Sequence, residues 1–159
     1  MEVRYLIIAR YAEFDQGGAL NLIGGDTDKF VSERYPLTIP TLTVAAKLLL
    51  DAEDASRDHQ FRVFVRDQNG ATVAEGPEGN IPRTAVPPPL TFMGAGLLLG
   101  FANIILPQAG QYKVALDVDG VEVVGARFAA TTPASLAELE RASREAMQGV
   151  TSDSNPGNQ

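Results

Sequence analysis

One histidine, His59, and no cysteine set the limits on side-chain chemistry in this chain of 159 residues. A single imidazole excludes a two-histidine metal site and any proton relay between imidazoles. The absence of thiols excludes thiolate nucleophiles and thiolate metal sites, and fits a reducing compartment. No G-x-S-x-G elbow is present to present a nucleophilic serine. Gly24-Gly25-Asp26-Thr27-Asp28 lacks both the spaced glycines of a dinucleotide fingerprint and the Lys-Ser/Thr pair of a phosphate loop. Paired carboxylates for glycoside cleavage are abundant in any acidic chain, and only their separation confers the chemistry.

What remains is oxygen chemistry. Asp26 and Asp28, with Asp51, Glu53 and Asp54, offer the carboxylates of a calcium site at one end of the fold, since Ca²⁺ collects about six to eight oxygens from loops. Convergence is not written in the sequence, so solvated turns are the competing reading. His59 lies between that acidic stretch and the start of an apolar alternation, and is expected as an exposed strand-edge residue. Arg10 interrupts an apolar run while Ala9 and Tyr11 keep the alternation, so it is expected to mark the solvent side of its strand. No catalytic set and no cofactor are expected.

The elements that would carry these residues are strands. Gln111–Ala130 is the clearest hairpin: Tyr112, Val114, Leu116 and Val118 alternate with polar or small residues, Asp119-Gly120 supplies the turn, and Val124, Ala126 and Phe128 continue the buried face. Val3–Phe14 reads as one long strand, and Ala19–Ile23 as its hairpin partner across Gln16-Gly17-Gly18. Leu42–Leu50, Gln60–Arg66 and Ala71–Ala74 follow, the last two joined at Asn69-Gly70; Glu75–Pro89 reads as irregular loop. With no helices interleaved, about eight strands at this spacing predict an all-β, antiparallel two-sheet sandwich, Ig-like or C2-like. From Thr132 the character changes. Pro133, the Ser135–Glu138 capping pair and the stripe Leu136, Leu139, Ala142, Ala146 and Met147 predict an amphipathic helix that Gly149 ends. Glu140 and Arg144 are spaced to pair on its solvated side. The expected units are thus a sandwich over 1–131, a helix over 132–149 and a disordered tail over 150–159.

Net charge is −7, with 13 basic against 20 acidic residues, and the basic residues are scattered. That pattern argues against nucleic acid and anionic membrane as partners. No charged residue stands between Arg83 and Lys113, and Leu90–Leu106 is mostly apolar. A membrane span of about 20 residues is argued against by Pro87–Pro89, Pro107, glycines at 94, 96 and 100, and Asn103. An apolar loop over Phe92–Leu99 leading into a strand over Leu99–Leu106 is expected instead.

Tyr11-Ala12, Gly18, Leu20, Gly24-Gly25, Phe61–Gly70 (FRVFVRDQNG), Glu75-Gly76-Pro77, Leu106-Pro107, Gly110, Tyr112 and Val118-Asp119-Gly120 together resemble a family of uncharacterised bacterial proteins known as a domain of unknown function. The resemblance implies a cytosolic (cytoplasmic) bacterial β-sandwich and brings no catalytic residues. The function expected is a non-enzymatic interaction module that binds a protein partner or itself, through Phe92, Met93, Leu97 and Leu98 and through Leu136, Leu139 and Met147. The alternative is a small-molecule or carbohydrate-binding sandwich, calcium-dependent through Asp26, Asp28, Asp51 and Asp54.

Overall fold

The computed structural model describes residues 1–152, with side chains as far as Glu145. The described residues form β1 (Glu2–Ala9), β2 (Tyr11–Phe14), β3 (Leu20–Ile23), β4 (Lys29–Val31), β5 (Leu37–Leu50), α1 (Ala52–Ala55), β6 (His59–Asp67), β7 (Thr72–Ile81), β8 (Met93–Leu106), β9 (Gly110–Val118), β10 (Val121–Thr131) and α2 (Pro133–Ser152). The protein is all-β with a C-terminal helix. Its strands fall into three sheets rather than the expected two, ordered β1-β5-β8, β4-β10-β9-β6-β7 and β2-β3.

The third sheet arises because the opening strand breaks. At Arg10, which is exposed as expected, the chain leaves β1, and β2 pairs with β3 instead. Asp15 closes that turn by accepting from the N–H groups of Gly17 and Ala19, at 2.8 Å each. The β2–β3 hairpin then lies over the outer face of β5 and β8. Phe14 sits so close to Gly96 that a Cβ there would come 2.7 Å from the Phe14 ring. This explains a segment that the sequence disguised. Met93–Leu99 was expected as loop, yet it is the first half of β8. Its glycines are the positions where a neighbouring side chain already fills the space, Phe14 at Gly96 and the Lys47 stem at Gly94.

Two further differences concern the five-stranded sheet. Glu75–Ile81, expected as loop, continues β7. Gly76 lies under Phe101 and Val63, where a Cβ would come 2.5 and 2.6 Å from their side-chain carbons. The sheet is also not wholly antiparallel, since β4 pairs with β10 in parallel, Ala129 opposite Lys29. So long a stretch of chain separates β4 from β10 that no crossover helix is needed.

β7 runs beside β8 and β1 beside β10 without ladder bonds between them, so the two larger sheets curl into a half-barrel wall. The core lies inside. Leu42, Val44 and Leu48 of β5 meet Val63 and Val65 of β6, Val114 and Leu116 of β9 and Phe128 of β10, all fully or almost fully buried. Each such side chain contributes roughly 1.5–3 kcal/mol.

The β9–β10 turn has Asp119 at φ 52° and Gly120 at φ 81°, the two positive values of a type I′ turn. α2 starts at Pro133, but its N-terminal cap is Thr132 rather than Ser135: the Thr132 hydroxyl accepts from the Ser135 N–H at 3.2 Å. The helix runs past Gly149 to Ser152. Residues 153–159, most of the expected tail, lie outside the described residues. No helix among the described residues is long and apolar enough to cross a membrane.

Candidate functional site

His59 is not at an exposed edge. It opens β6 with 0% of its surface accessible. Nδ1 lies 2.8 Å from Oδ2 of Asp119, and Nε2 lies 2.9 Å from the carbonyl oxygen of Asp54. Both neighbours are acceptors, so a ring N–H on either side of the imidazole finds a partner. Asp119 also accepts from the Gln60 N–H at 3.0 Å and from Arg57 Nη1 at 3.1 Å. The hydrogen bond from His59, followed by that from the Gln60 N–H, holds the Asp119 carboxyl below its ordinary range. The cluster ties α1, the start of β6 and the β9–β10 turn together. A ring buried on all sides with a partner at each nitrogen is a clamp between these elements.

The acidic residues serve local structure. Asp51 caps α1 by accepting from the Asp54 N–H at 2.9 Å, which lowers the affinity of its carboxyl for a proton. Asp26 stands at φ 59° in the loop after β3, and Asp28 is 3.8 Å from Lys29. Among the described residues, no group of three or more histidine, aspartate or glutamate side chains is placed to hold a metal. The calcium alternative at Asp26, Asp28, Asp51 and Asp54 therefore has no geometry behind it.

The apolar interface residues separate into two regions. Phe92 (49% exposed) and Leu98 (39% exposed) lie at and along β8, with Met93 and Leu97 half-buried. Among the described residues β8 has one ladder neighbour, β5, and runs beside β7 without ladder bonds. Its first residues, Met93–Leu97, line an opening of about 360 Å³ shared with Leu50, Ile81 and Pro82. On α2, Leu136 is half-buried and Leu139 is 62% exposed. The Met147 side chain lies outside the described residues.

A second feature was not foreseen. Arg127 of β10, Lys113 of β9 and Arg66 of β6 stand opposite one another in register, a row of three cations across the outer face of the sheet. A two-residue turn alone would set Lys113 opposite Ala126. The register shift between Glu122 and Val124 moves the pairing by one, so no reading of the turn could reveal the row. Arg66 and Lys113 share Glu122 as partner, and Arg66 also reaches Asp117 at 3.5 Å and lies 5.2 Å above the Phe64 ring. Arg127 has no carboxylate within 4.0 Å among the described residues. It stands between an opening of about 410 Å³ and a cleft of about 830 Å³ beneath α2. The cleft is walled by Leu136, Leu139, Glu140 and Arg144 of α2, with Asp28 and Lys29 at its side. Arg144 does not bridge to the Glu140 carboxylate; its Nε donates to the Glu140 carbonyl oxygen at 3.3 Å.

Sequence comparison matches residues 4–131 to a family described as "Family of unknown function (DUF6941)". No curated protein matches the chain. Among solved structures, a glycosyl hydrolase family 2 member from Bacteroides cellulosilyticus is similar at 16% identity and a TM-score of 0.35, over 59% of this chain and 12% of that one. A β-glucuronidase from glycoside hydrolase family 2 is similar at 16% identity and a TM-score of 0.33, over 58% of this chain and 10% of that one. The chain thus spans about a tenth of the length of the solved proteins it matches.

Proposed function

We propose that this chain, which belongs to the DUF6941 family of unknown function, is a non-catalytic interaction module that accepts an extended segment of a protein partner as an added strand on β8. The edge of β8 supports this reading at its Met93–Leu97 half, where β7 runs beside it without ladder bonds and an opening separates the two. Natural edge strands are blunted by charge, proline, bulges or shortness, because unpaired N–H and C=O groups otherwise template further pairing. β8 is fourteen residues long, carries no charged residue, and has prolines only outside it. Its one irregularity is Asn103 at φ 53°, near the far end. The Met93–Leu97 half borders an opening, with Leu98 and Phe92 exposed beside it. Strand addition at such an edge draws affinity from the backbone and selectivity from alternate side chains.

The test is selection of binders from a displayed peptide library, followed by titration and amide hydrogen exchange on full-length protein. Bound peptides should slow exchange within Met93–Leu97, and Leu98→Lys should weaken them. Light scattering over a range of concentrations separates a foreign strand from a second copy of the chain. Peptides that bind equally well to Leu98→Lys, with no protection in β8, would overturn the reading.

A further inference from the structure

We infer that the cleft between α2 and the adjoining ends of β9 and β10 is a binding site for a small amphiphilic anion, a phosphate- or carboxylate-headed molecule with a short apolar body, and that Arg127 holds its head. Like charges set directly opposite on neighbouring strands destabilise a sheet. The row Arg127–Lys113–Arg66 does this twice, across strands about 4.8 Å apart. Asp117 and Glu122 neutralise the Arg66 and Lys113 end of the row. Among the described residues no carboxylate lies within salt-bridge distance of Arg127, which lines the cleft. An anion at that point completes the charge pattern that the side chains leave open.

The cleft supplies the rest of the chemistry. Arg144 approaches from α2 and Lys29 from β4, while the opposing carboxylates are Asp28, already beside Lys29, and Glu140. Leu136 and Leu139 form an apolar wall, and the exposure of Leu139 is otherwise unexplained. A volume of about 830 Å³ lies within the range of small-ligand sites, about 300–1,000 Å³. The net charge of −7 does not oppose this, because salt at physiological strength screens carboxylates farther than about 8 Å away.

The experiment is calorimetric titration of full-length protein with hexyl phosphate, hexanoate and 1-hexanol at low and high salt. At least one of the anions should bind, more weakly at high salt, and 1-hexanol should not; the two anions distinguish a phosphate from a carboxylate head. Arg127→Gln should weaken binding by about tenfold or more, as expected for loss of a charge-assisted hydrogen bond. Leu139→Asp, which sets an anion in the wall, should weaken it too. Arg62→Gln, on the same strand as Arg66 but outside the cleft, should leave it unchanged. Both side chains altered in the cleft are exposed, and an unchanged thermal midpoint confirms that the variants fold. The assignment is wrong if neither anion binds at millimolar concentration, if 1-hexanol binds as well, or if Arg127→Gln binds like the parent.

Discussion

His59 and Asp119 are separated by 60 positions in the chain and meet at 2.8 Å because the β9–β10 turn folds onto the start of β6. The turn needs a residue tolerant of positive φ, and aspartate meets that need while offering a carboxylate. One side chain thus makes the turn and pins it. Removing the ring takes away the partner shared by the Asp54 carbonyl and the Asp119 carboxylate and opens a cavity, so His59→Ala should destabilise the protein by about 2–4 kcal/mol in denaturant unfolding. Asp119→Asn retains the backbone tolerance and removes the charge. The folded Asp119 carboxyl titrates below its unfolded value, so its stabilisation is fully present above the unfolded value of about 3.9 and is lost as pH falls through the folded one. The difference in thermal midpoint between the parent and Asp119→Asn should therefore be constant near neutrality and shrink below about pH 4. A difference that grows on acidification would contradict the clamp.

At the scale of elements, alternation was legible and contact was not. The β9–β10 hairpin, the β6 strand and the helix after Thr132 could be read because each carries its own period or turn residues. Met93–Leu99 could not, since its glycines look like loop punctuation until Phe14 and Lys47 are seen lying on them. His59 failed for a related reason: a polar residue at a strand start is exposed unless distant groups converge on it. The register of Arg127 is set by a bulge, which no sequence pattern carries. The glycines permit a paired test at the seam between β7 and β8. A Cβ at Gly76 strikes Phe101 and Val63 in the core, whereas one at Gly100 meets nothing within 4 Å. Gly76→Ala should cost about 1–3 kcal/mol by overpacking, and Gly100→Ala should stay within about 0.5 kcal/mol of the parent. Equal losses would mean that β7 does not press on β8 as described.

The whole molecule is a half-barrel of two curled sheets, a hairpin laid on one of them, and a helix beyond the last strand of the other. The family match ends at 131, where β10 ends, so α2 lies outside the shared unit. Among its described side chains, the hold on the sheet is slight. Leu136 is only half-buried and Leu139 is mostly exposed, so the contact stabilises by about 1 kcal/mol on the scale of a fully buried leucine. For a domain of this size, 1 kcal/mol moves a thermal midpoint by about 2–4 °C. A chain ending at Thr131 should therefore melt cooperatively within about 5 °C of the full chain. Anion binding should respond differently, because removing α2 takes away the apolar wall and Arg144 while leaving Arg127 in place. Calorimetry on both chains reads the two quantities together. Binding that survives the truncation would move the site onto the cation row of the sheet alone, and a midpoint lower by much more than 5 °C would make α2 part of the folding unit rather than a wall added to it.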